Sequence, residues 1–188
     1  MPLMAGSTTA VSGRFFELSE EVRAEFPDLL FKYKDESPLM KLLNAFLLFV
    51  TFGQQKTFMT HFITTVGHTI YLPVIWDSMT EWARCSVLRH ERVHMRQQKR
   101  YGTVLFAVLY ILPFFPLGLA YFRARFEWEA YRETMQVSFE QHGSRMLKDA
   151  KYKEYIVSFF VTGAYGWMWP FRRTVEGWYD EAVKEILS

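Results

Sequence analysis

Residues 87–98 read VLRHERVHMRQQ, and within them His90-Glu91-Arg92-Val93-His94 matches the pattern H-E-x-x-H. On an α-helix, residues four apart share one face, so His90 and His94 project side by side. Two imidazoles so placed can reach one ion at the usual zinc–nitrogen bond of about 2.0–2.1 Å. Glu91, one step around the helix, can then meet a water on that ion. With 5 histidines among 188 residues, chance supplies only about 0.01 such matches. The stretch therefore reads as a zinc site, one ion per chain, rather than as the solvated face of an ordinary helix.

The flanks support a helix. Ser78-Met79-Thr80-Glu81 matches a capping box, and Tyr101-Gly102 offers an end. Upstream, residues 60–73 (THFITTVGHTIYLP) are rich in Thr, Ile, Val and aromatics and end at a proline. They read as a strand or ribbon with Gly67 at a bulge or bend. Further upstream, residues 38–52 form an apolar helix by the spacing of Leu39, Leu42, Leu43, Phe46 and Phe49/Val50, and residues 18–34 a short helix broken near Pro27. Downstream come helices near 119–141 and 147–160, an aromatic turn at 163–171, and a last helix from about 174.

A catalytic zinc takes three protein ligands and a water. The position that would carry a third histidine in an extended motif is Arg100. The third ligand is therefore expected to be a carboxylate on the following helix, where FEWEAYRE (126–133) offers Glu127, Glu129 and Glu133.

HExxH followed by a helix bearing F-E-x-x-A resembles the gluzincin metallopeptidases, and looks closest to the minigluzincins and to catalytic cores of the CAAX-prenyl-protease type. The resemblance covers roughly residues 60–135. In that family a small residue lies three positions after the ligand glutamate, which implies Glu127, with Ala130, over Glu129, with Arg132. At the fourth position Tyr131 replaces the usual Asp, so the resemblance leaves the orienting of a ligand histidine to Tyr131, Gln97 or Gln98. It implies an α+β, predominantly helical, zincin-like fold: a small β-ribbon, the HExxH helix and a glutamate helix. The implied activity is a zinc metalloendopeptidase with His90, His94 and Glu127 on the metal and Glu91 as general base. The strand at 60–73 would take a peptide or protein substrate by β-augmentation. Tyr165, in the aromatic turn, is the candidate for stabilising the oxyanion. The alternative from another class is a non-catalytic protein, membrane-associated or part of a larger assembly, whose zinc ties two helices together.

Residues 103–122 (TVLFAVLYILPFFPLGLAYF) carry no charge over twenty positions. A straight helix of that length would cross a hydrocarbon core of about 30 Å. But His94 precedes the run and Glu127 follows it, so a crossing would separate ligands of one ion. The run is expected to be a hairpin with Pro113-Phe114-Phe115-Pro116 at its tip, either buried in the core or dipping into a membrane surface.

The rest of the composition narrows the class. A net charge of +2 excludes a nucleic-acid footprint, and the single cysteine, Cys85, excludes a disulfide framework. The first residues hold no apolar signal segment, so a cytoplasmic location is expected, peripheral to a membrane if the hairpin touches one. Residues 1–16 read as a flexible tail and 17–188 as a single domain, with its core at 60–135 and a helical C-terminal part at 144–188.

Overall fold

Proline and pairing decide the first element. In the computed structural model, which describes residues 13–50, 52–53, 56–111, 120–162, 168–169 and 171–188, helix α1 (Arg14–Glu25) stops just before Pro27. Phe26, the residue preceding the proline, is forced extended (φ −132°, ψ 84°). Beyond the break that the sequence reading places near Pro27, the chain enters strand β1 (Leu30–Tyr33), which that reading does not foresee. The reason is non-local: β1 pairs in parallel with β3 (Thr69–Leu72), Leu30 opposite Thr69. No local pattern announces a partner some forty residues away. The expected tail also ends early, because Arg14–Phe16 already belong to α1.

Strands β2 (Thr64–Val66) and β3 form the ribbon, antiparallel, with Val66 opposite Thr69. The sheet order is β1-β3-β2, so β2 is an edge. Gly67 takes φ 59° in the two-residue link, so it turns a hairpin rather than making a bulge within one strand.

Helix α2 (Pro38–Val50) follows a short 3₁₀ turn at Lys34–Glu36. It buries Met40 against Phe58 and Tyr71, while Leu39, Leu42, Phe46 and Phe49 face outward. Helix α3 (Glu81–Tyr101) carries the HExxH stretch. Its N-cap is Thr80, whose hydroxyl accepts from Ala83 N at 3.3 Å, not Ser78 as the capping box suggests. Glu81 is already engaged elsewhere, accepting from Phe15 N at 3.1 Å, and Ser78 ends the 3₁₀ turn Val74–Ser78.

One face of α3 packs Leu88 and Met95 with Ile70 and Leu72 of the sheet, Leu18 and Val22 of α1, and Phe26 just beyond it. The opposite side lies along α5 (Tyr121–His142). Arg89 fastens the two helices, donating to Glu133 (2.9 Å) and Glu140 (2.7 Å). A second apolar cluster joins α5 to α6 (Ser144–Leu147), α7 (Ala150–Val161) and α8 (Arg172–Leu187). The fold is α+β and predominantly helical.

Between α3 and α5 the chain breaks at Gly102 (φ 79°) and continues as α4 (Thr103–Ile111). Helix α4 is not core: it buries Phe106, but Val104, Leu105, Val108 and Ile111 are exposed. The expected hairpin tip at 113–116 lies outside the described residues. Among the described residues, no helix is long and apolar enough to cross a membrane.

Candidate metal centre

The i, i+4 spacing on α3 brings the His90 and His94 rings to 4.9 Å between centroids. From α5, Glu127 reaches both: Oε2 is 3.4 Å from His90 Nε2 and Oε1 is 3.6 Å from His94 Nε2. Tetrahedral ligands bonded to zinc at about 2.0–2.1 Å stand about 3.3–3.4 Å from one another. One donor atom from each of the three residues lies within 4.8 Å of the others, a group that could hold a metal ion, and two imidazoles with a carboxylate are a donor set of the kind zinc takes. Ala130, one turn beyond Glu127, is fully buried. Glu129 points elsewhere and accepts from Gln97 Nε2 at 2.8 Å.

Burial shapes the electrostatics. Glu127 is 2% exposed. Burial alone would raise its pKa, but the imidazoles of His94 and His90 and the Tyr110 hydroxyl overcome it and hold the carboxyl down at about 2. At His90 burial favours the neutral ring, yet Glu127 and then Glu91 win and push its pKa up. A buried carboxylate between two ring nitrogens is a place that calls for positive charge.

The ring nitrogens facing away from Glu127 have partners too. His94 Nδ1 lies 2.9 Å from Gln97 Oε1. Gln97 Nε2 donates to Phe126 O and to Glu129, so its oxygen must be the acceptor. His94 therefore carries its proton on Nδ1 and presents the lone pair of Nε2 inward. Of the three residues the sequence left open for this task, Gln97 performs it for His94. Tyr131 instead stands edge-on to His90, ring centroids 5.0 Å apart, and Gln98 binds the ribbon. His90 Nδ1 has Thr134 Oγ1 at 3.3 Å.

Glu91 is 7% exposed and stands outside the three-ligand cluster. Thr65 of β2 donates to its Oε2 at 2.7 Å. Gln98 grips the same strand, accepting from Gly67 N (2.8 Å) and donating to Thr65 O (3.2 Å). Thr65 alternates with the residues bonded to β3, so its carbonyl faces the outer edge. Gln98 donates to that carbonyl from α3 and so ties the edge strand to the helix.

Two contributors escape sequence reading. Tyr110 of α4 donates to Glu127 Oε1, with its ring edge-on to His94. It lies in the run read as purely apolar; the usable signal was that a segment folding back from α3 to deliver Glu127 must face the site. Lys34, 1% exposed, is close enough to Glu91 for that charge to act on it. Tyr165 lies outside the described residues.

In comparisons with known proteins, the chain matches no family model, no curated protein and no solved structure.

Proposed function

We propose that this chain is a zinc-dependent peptidase of zincin type. The observation that carries the reading is the convergence of His90, His94 and Glu127 at metal-ligand spacing, with an independently held carboxylate, Glu91, beside them. Zinc bound there would supply Lewis acidity, acidifying a water and polarising the scissile carbonyl. Glu91 would be the base beside such a site, able to accept a proton from water and return it to the leaving amine. The Thr65 hydroxyl fixes the Glu91 carboxylate, and Gln97 fixes the tautomer of His94. An extended substrate segment would pair with the edge of β2.

A purely structural zinc, tying α3 to α5, has no use for a general base against the histidines. Metal analysis joined to hydrolysis of an unstructured protein such as casein tests the reading. Zinc with cleavage supports it; zinc without cleavage in the wild type means a structural site.

A further inference from the structure

Two helices turn their apolar sides outward. On α2, Leu42 is 69% and Phe49 81% exposed, and Leu39 and Phe46 complete a stripe at helical spacing. On α4, Val104 is 79% and Ile111 59% exposed, with Leu105 and Val108 alongside. Single exposed hydrophobes need no explanation, but grouped ones mark a contact surface.

The charge pattern names the partner. No Asp or Glu occurs in residues 37–76 or in 92–126, although the chain has 20 acidic residues. Those two windows contain α2 and α4. Of the Lys and Arg side chains there, Arg92 and Arg96 are held by Glu25 and Arg123 and Arg125 are half-buried, whereas Lys41, Lys56, Lys99 and Arg100 are exposed. Tyr101 and Tyr121, also exposed, stand at the two ends of the uncharged run. Apolar helices too short to cross, bordered by basic and aromatic residues and free of acids, have the pattern of segments lying in a lipid interface.

From this we infer that α2 and α4 dock this protein on an anionic membrane surface. A second copy of the chain is disfavoured, since apposing these faces would set Lys41, Lys56, Lys99 and Arg100 against their own counterparts. Docking does not depend on the peptidase reading. It bears on that reading because Phe106 and Tyr110, on the inner side of α4, touch His94 and Glu127. The lipid surface would thus lie one helix diameter, about 10 Å, from the metal centre, and would favour substrates presented at the bilayer.

Co-flotation with vesicles tests this, using phosphatidylcholine alone and phosphatidylcholine with about a third phosphatidylglycerol. The wild type is expected to bind the anionic vesicles at least about tenfold more tightly than the neutral ones, and less well in high salt. Phe49→Glu combined with Val104→Glu, both at exposed sites, should lower binding at least about tenfold with unchanged circular dichroism and thermal transition. Three results would overturn the inference: no vesicle binding, equal binding to neutral and anionic vesicles, or binding unaltered in the double variant. So would sedimentation showing a dimer that the same substitutions dissociate, because the face would then belong to self-association.

Discussion

Replacing Lys34 with methionine should remove a pH dependence of stability that the fold imposes on one buried cation. Lys34 is 1% exposed; its Nζ donates to Phe58 O at 3.0 Å and lies 3.5 Å from the centroid of the Phe58 ring. Burial draws its pKa down to about 7, partly countered by the charge of Glu91. In the unfolded chain a lysine titrates near 10.4. Between these values the unfolded state holds a proton that the folded state lacks, so stability rises with pH. From pH 7 to pH 9 the increase from this residue is about 2 kcal/mol. Methionine keeps the length and apolar stem without the charge, although it leaves Phe58 O short of a donor at a cost of about 1 kcal/mol. Urea unfolding of metal-free protein at pH 7, 8 and 9 should therefore show the wild type gaining on Lys34→Met by about 2 kcal/mol across the range. Adding Glu91→Gln should move the wild-type rise to lower pH, since the counter-charge is gone. Parallel pH profiles for wild type and Lys34→Met would refute the reasoning.

Glu127→Ala should lower zinc affinity far more than Glu129→Ala, because Glu127 alone of the two stands within 4 Å of both imidazoles; competition with a chelator measures it, and the reverse order would contradict the assignment. Gln97→Ala should weaken zinc binding by about 10–100-fold, the usual effect of removing a histidine's outer partner. Thr65→Val should leave zinc content unchanged and lower kcat about tenfold, the worth of one hydrogen bond to a charged group; an unchanged kcat would remove Thr65 from the mechanism.

Helix α3 is legible in the sequence because its signals are local: a polar cap, a 3.6-residue period and a terminal glycine. The two histidines follow from the same periodicity and the need for a carboxylate on the next helix from the ligand count, whereas Glu127 over Glu129 rests on the resemblance and its small residue at Ala130. β1 is not legible, since a four-residue strand owes its existence to a parallel ladder with β3. Two hydroxyls could cap α3; Ser78 instead closes the preceding 3₁₀ turn, its hydroxyl donating to Ile75 O, and Thr80 takes the cap. Periodicity on α2 and the lack of charge on α4 announce apolar faces, but neither tells core from surface. Tyr110 stays hidden for a related reason: a phenol within an apolar run reads as packing until the chain is seen to fold back on Glu127.

The central claim is most directly tested by Glu91→Gln. Glutamine keeps the shape and helix propensity of glutamate, so fold and zinc content should be those of the wild type. Loss of the proton acceptor should lower hydrolysis by about 10²–10⁴-fold. Casein cleavage measured beside zinc content in both proteins should therefore show one zinc per chain in each and activity only in the wild type. Equal cleavage by the two proteins would contradict the account, even with the zinc in place.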